Sequence, residues 1–147
     1  MIKGFTADHV PNQPGRTVMV TGANAGLGFE SAKILAGKGA RILLGCRSKE
    51  KASKAIDLIR QDYPDADLDF IELDQASLSS IKKAAKAVEK EKRLDVLVNN
   101  AGYGGMGYLE QIPIEQTASM FDTNVFGSIR VAQAVLPHMR ERKSGTI

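Results

Sequence analysis

The sequence predicts an open α/β domain, a doubly wound parallel sheet with helices on both faces. Short β-rich apolar runs alternate with longer amphipathic ones, and the connections between them are short. A glycine-rich turn, TGANAGLG (21–28), joins the first strand-like run to the first helical one. Parallel strands need a crossover, and a helix is the usual one. The chain has 147 residues, enough for one domain.

Each element follows from its residues. An N-terminal arm, residues 1–16, precedes the domain of residues 17–147 and carries Asp8, His9, Pro11 and Pro14. TVMVT, Thr17–Thr21, is β-branched and stops at glycine, as a buried strand does. Residues 27–35 read as a helix ending near Gly37 and Gly39. Residues 40–45, ARILLG, form the second strand. Ser48 caps a helix over 49–61, and Pro64 blocks its continuation. Residues 67–72, DLDFIE, alternate polar and apolar as a third strand. Ser77 or Ser79 caps a helix running to about Lys92, and residues 95–99, DVLVN, form the fourth strand. After the loop GYGGMG (102–107), Pro113 suits the first turn of a helical stretch from about Ile114 to Arg142, with Gly127 and Pro137 as interruptions. Gly145, Thr146 and Ile147 read as the first step of a fifth strand.

Composition excludes several classes. Hydrophobic residues at 43% and charged residues at 25% match a soluble globular chain, not a disordered, collagenous or coiled-coil one. The net charge of +3 and a pI near 9.0 raise nucleic-acid binding. The basic residues are mixed with acids, however, as in KKAAKAVEKEKR (82–93), which reads as a solvated helix face. No nucleic-acid partner is expected. No apolar run approaches the roughly 18 residues that cross a bilayer, and the first 16 lack a signal-peptide core. One cysteine, Cys46, rules out an internal disulfide and fits a reducing compartment. A cytoplasmic protein without membrane or metal partners is the expectation.

The glycine turn carries the chemistry. Gly22 permits a sharp turn, Gly26 lets backbone approach a pyrophosphate, and Gly28 lets the helix pack closely on the strand. The helix N-terminus then offers unpaired N–H groups and a positive dipole end to an anion. A Walker loop is excluded, because Phe29 and Glu30 stand where Lys and Ser/Thr are needed. The plain alternative is a tight strand-to-helix turn with no ligand.

TGANAGLG together with NNAG at 99–102, after the fourth strand, resembles the short-chain dehydrogenase/reductase family. The likeness runs from about Arg16 to Ile147, while the family's single Rossmann-type domain is about twice as long. It implies strand order 3-2-1-4, a fifth strand beyond the fourth, a nicotinamide dinucleotide and a ketone or secondary-alcohol substrate. Through it Gly22, Asn24, Gly26, Leu27 and Gly28 carry the pyrophosphate and adjoining ribose, and Asp74, in ELDQAS, meets the adenine amino group. Asn100 and Ala101 form the floor of the site. Asp74 also reads as an acidic cap on the following turn, and Asn100 as a tie on the strand end.

NAD-preferring domains place Asp or Glu about 20 residues beyond the glycines, to hold the ribose 2′-OH. Cys46 stands there, followed by Arg47. A guanidinium grips a 2′-phosphate that a carboxylate would repel, and in the family this pattern accompanies NADP. NADP is therefore expected, with NAD possible. The alternative for Arg47 is an exposed loop arginine. Cys46 lacks a second Cys or an adjacent His and reads as a small residue at a strand end.

Of the family's Asn, Ser, Tyr and Lys, only the Asn has a match: Asn124 in FDTNVFG (121–127), which in the family distorts its helix and helps hold a water linked to the lysine. The residues four beyond Tyr63, Tyr103 and Tyr108 are Asp67, Gly107 and Ile112, so no Tyr-x-x-x-Lys is present, and His9 and His138 sit in no triad-like pattern. The segment to about Asn100 resembles a retinol-dehydrogenase-like branch, and the remainder steroid-dehydrogenase-like reductases. The resulting expectation is the cofactor-binding half of an NADP-dependent oxidoreductase that forms a homo-oligomer. The rival is a truncated, non-catalytic dinucleotide-binding or interaction module.

Overall fold

The computed structural model describes residue 4, residues 6–105 and residues 107–147. Met106 of the GYGGMG loop, and four residues of the N-terminal arm, lie outside the described residues. Four parallel strands form one sheet: β1 Thr17–Thr21, β2 Arg41–Cys46, β3 Leu68–Glu72 and β4 Val96–Val98. Their order is β3-β2-β1-β4, as expected. Val18 sits opposite both Ile42 and Val96, which fixes the register across the middle of the sheet.

Helices cover both faces. Val18, Val20, Ile42 and Leu44 point toward α1 (Gly26–Gly37) and α2 (Lys49–Asp62), meeting Ala32, Ala36, Ala52, Ala55 and Ile59. Met19, Leu43 and Leu97 point the other way, toward α3 (Leu78–Val88) and α5 (Ser128–Glu141), meeting Ile81, Val131, Val135 and Met139. Successive strand residues thus enter two different cores. That is why the centres of both strands, Val18–Val20 and Ile42–Leu44, are continuously apolar rather than alternating.

The caps fall where the sequence put them. Ser48 Oγ accepts the N–H of Lys51 at 3.2 Å, and Ser77 Oγ that of Ser80 at 3.3 Å. Several boundaries differ. The third helix ends at Val88, because residues 89–92 turn away once the buried positions Ala84 and Val88 are spent. The stretch expected as one long helix is three pieces: α4 (Ile114–Phe121), a π-helical segment (Asp122–Gly127) and α5. Gly127 closes the π segment, as its expected role as an interruption implied. Pro137 does not interrupt α5; it stays inside the helix, which runs on to Glu141. Beyond it, Thr146 lies parallel to Val96: its N–H donates to Asp95 O (2.9 Å) and its carbonyl accepts from Leu97 N–H (3.0 Å). The fifth-strand step therefore stands beside β4.

Candidate functional site

The carboxyl ends of β1, β2 and β4 open into a cleft of about 410 Å³. In open α/β sheets this end of the strands is where ligands bind. Gly22, Asn24, Leu27, Arg47, Asp74, Asn100 and Ala101, seven of the residues singled out from sequence, line it. Gly26, Gly28 and Asn124 are not on its wall.

The three glycines differ in what confines them. Gly22 has φ +68°, and a Cβ there would stand 2.9 Å from Ala101 Cα. Gly28 is buried; a Cβ would collide with the Asn100 amide and lie 2.6 Å from Gly22 O. Gly26 has φ +59° but no atom within 4 Å of a Cβ, so the space above it is open. α1 begins there with Ala25 at its N-cap and no side-chain cap, unlike α2 and α3. Its first N–H groups are left for another acceptor. Leu27 is 82% exposed beside them.

Two clasps shape the floor. Thr21 Oγ1 accepts the N–H groups of Asn100 (3.0 Å) and Ala101 (2.9 Å), and the Asn100 amide donates to Thr21 O at 2.9 Å. β1 and β4 are thereby stitched where their ladder ends. Asn124 makes a second clasp: its Oδ1 accepts the N–H of Tyr103 (3.1 Å), and its Nδ2 donates to Tyr103 O (2.8 Å). The Tyr103 hydroxyl lies 2.7 Å from Ser119 Oγ. Asn124 thus fixes the loop after β4 from beneath.

At the other end, Arg47 is exposed and its guanidinium makes no hydrogen bond or ion pair among the described residues. Asp74 uses Oδ1 to accept the N–H of Ala76 (3.0 Å), and its own N–H donates to Ser80 Oγ (2.9 Å). The turn-capping role is therefore real, and the carboxylate still borders the cleft. Cys46, the last residue of β2, is buried; burial pushes its thiol up against the lowering effect of the Ala23 and Asn24 backbone bonds.

The family model for short chain dehydrogenases matches residues 16–147. The chain belongs to the short-chain dehydrogenase/reductase family. A short-chain dehydrogenase/reductase of Phomopsis amygdali is 37% identical over 140 residues, 90% of this chain but 40% of that protein. Human retinol dehydrogenase 13 is 48% identical over 90 residues, covering 60% of this chain and 27% of its own. Among solved structures, a gluconate 5-dehydrogenase from Burkholderia cenocepacia J2315, in complex with NADP and tartrate, superposes with a TM-score of 0.81 at 30% identity. That match covers 91% of this chain and 52% of the other. The chain therefore spans about two fifths to half the length of these family members over which it aligns broadly. Among the described residues no helix is long and apolar enough to cross a membrane.

Sequence reasoning missed Thr21, Gln75 and Tyr103. Thr21 opens the TGANAGLG motif and ends the first strand, and neither place signals its hold on Asn100 and Ala101. Gln75 follows Asp74 and looks like an ordinary polar loop residue, yet it is 3% exposed. No sequence signal separates it from a solvated glutamine.

Proposed function

We propose that this chain is the NADP-binding portion of a short-chain oxidoreductase acting on a ketone or secondary alcohol. One observation carries the reading: the free guanidinium of Arg47 and the uncapped start of α1 border one cleft, with no carboxylate at the end of β2. The α1 N–H groups and Asn24 take the pyrophosphate, with Gly26 leaving room for it. Arg47 takes the 2′-phosphate in a charge-assisted contact. Asp74 accepts from the adenine amino group, and Asn100 and Ala101 support the adjoining ribose. Leu27 lies over the diphosphate and sheds water. The gluconate 5-dehydrogenase relative, solved with NADP, supports the choice of cofactor. Bound there, the nicotinamide would supply the hydride of carbonyl reduction.

Asn124 is the one residue of this chain assigned to the catalytic set, and through Tyr103 it orients the loop beside the nicotinamide end. An amide is not a proton donor of the required acidity, so the acid of the reaction is none of these residues. Measurements on the 147-residue chain therefore read binding. Titration with NADPH and NADH tests the proposal: NADPH is to bind at least about tenfold more tightly, one charge-assisted bond's worth. Equal affinities would remove the NADP assignment. Absence of binding by either would favour the non-catalytic reading without a dinucleotide.

A further inference from the structure

Gln75 stands between the two ends of the cleft. It follows Asp74 at the β3 end and packs beneath the π-helical segment. A Cβ on Gly127 would lie 2.8 Å from both Gln75 Cβ and Gln75 O, so only glycine lets the two backbones approach this closely. The Gln75 amide is buried. Its Nε2 donates to Ser128 Oγ at 3.3 Å, and its Oε1 has no partner among the described residues. Ser128 Oγ in turn donates to the backbone carbonyl of Asn124 at 3.0 Å. The Asn124 side chain grips the Tyr103 backbone on the far side. A directed series therefore runs from Gln75 through Ser128 and Asn124 to Tyr103.

Burying an amide oxygen without a partner costs stability, and methionine or leucine would fill the same space without that cost. Among the described residues the bond to Ser128 is the one compensation the Gln75 side chain has. A π-helical segment closes i→i+5 backbone bonds, and its carbonyls can accept a further side-chain donor. The Ser128 hydroxyl supplies one to Asn124, and Gln75 holds that hydroxyl in the donating orientation, because an oxygen accepting from Nε2 turns its hydrogen elsewhere.

We propose that Gln75 is a positioning residue, acting through Ser128 to hold Asn124 and hence the Tyr103 loop at the nicotinamide end of the cleft. The coupling itself is a property of the folded chain; its effect on cofactor rests on the dinucleotide-binding reading above.

Backbone amide exchange on the unliganded 147-residue chain tests the coupling directly. Gln75→Met keeps the volume and removes the donor; Ser128→Ala removes the relay and changes almost no volume. Each is to speed exchange of the Tyr103 N–H about three- to tenfold, the loss expected for one hydrogen bond. The Leu44 N–H, in the centre of the sheet, is to stay as slow as in the parent. Ser128→Thr, which retains the hydroxyl, is to restore the Tyr103 rate. Unchanged Tyr103 exchange in both variants overturns the proposal, as does a speeding that Leu44 shares, since that is general destabilisation. The consequence for cofactor is read with two ligands. Gln75→Met is to weaken NADPH severalfold while leaving 2′,5′-ADP, which lacks the nicotinamide half, within about twofold. Equal losses for both would also overturn it. A parent chain that binds neither ligand removes the dinucleotide reading, and Tyr103 exchange then decides the coupling alone.

Discussion

The hydroxyl of Thr21 holds the backbone of Asn100: one oxygen accepts the N–H of Asn100 at 3.0 Å and that of Ala101 at 2.9 Å. Thr21 is fully buried, and Asn100 returns a bond from its amide to Thr21 O at 2.9 Å. Thr21→Val is nearly isosteric but accepts nothing, leaving two N–H groups without partners. The expected loss is about 2–4 kcal/mol, near the sum of two unsatisfied donors. A free energy of unfolding in urea that changes by less than about 0.5 kcal/mol would mean that water satisfies the β4 end instead.

Arg47 sets cofactor choice in the proposed reading. Its exposure keeps the contact with a 2′-phosphate near the low end of the charged-bond range, about 1.5 kcal/mol or roughly tenfold in affinity. Arg47→Ala is to reduce NADPH affinity by about that factor and leave NADH within twofold. Calorimetric titration of both ligands into both proteins measures it. A parallel loss for both dinucleotides would assign Arg47 to the fold or the diphosphate.

Gly26 and Gly28 are to fail in different ways. A side chain at Gly28 strikes the Asn100 amide and Gly22 O, so Gly28→Ala is to cost about 1–3 kcal/mol of stability through overpacking. At Gly26 no atom of the described residues lies within 4 Å of a Cβ, and the cost at the backbone is its left-handed conformation, about 1–2 kcal/mol. Gly26→Val is therefore to leave a folded chain that no longer binds either dinucleotide. Thermal melts and titrations separate the two effects; retained binding in folded Gly26→Val would mean that the turn has only a structural role.

Acid sensitivity centres on Asp95. Burial alone would push its carboxyl up, but the N–H of Thr17 (2.9 Å) and the guanidinium of Arg93 (2.6 Å) outweigh it and hold the group below the usual carboxylate range. A carboxyl lowered on folding contributes stability above its unfolded pKa of about 3.9, and that contribution fades as pH falls toward the folded value. Asp95→Asn is to lose about 1.5–3 kcal/mol at pH 7 and show a shallower decline below pH 4. Urea midpoints at pH 7 and pH 3 check it: the gap between parent and variant must shrink in acid.

Much of this was legible beforehand because the signals are local. Val18–Val20 and Ile42–Leu44 are apolar on consecutive residues, as a sheet covered on both faces requires, and Ser48 and Ser77 cap the helices they precede. The glycine spacing located the cleft, since Gly22 needs positive φ and Gly28 needs contact with Asn100. What stayed hidden depends on partners distant in sequence. The Asn124–Tyr103 clasp spans 21 residues, and the burial of Gln75 follows from the approach of Gly127. The π segment was foreseen as an irregularity, but its extent needs the packing of α5 on the sheet.

The surface of α4, the π segment and α5 gives the last expectation. Phe121, Val125, Phe126 and Ile129 are each at least 40% exposed, and Leu136 is 38% exposed. Val131, Val135 and Met139 on the opposite side are buried against Met19 and Leu97. Val135 and Ala132 belong to the core side, so the apolar outer face is narrower than helical spacing suggests. Exposed large apolar side chains so close in sequence along one helical stretch favour association. A second copy is the expected cover, and the 147-residue chain is to associate as its concentration rises through the micromolar range. Phe126→Lys with Ile129→Glu places charges on that face without touching the buried row, and is to shift the population toward monomer with little change in melting. Sedimentation across a concentration series decides it: a parent that stays monomeric at high micromolar concentration, or a double variant that associates equally well, would show that this face is not the contact.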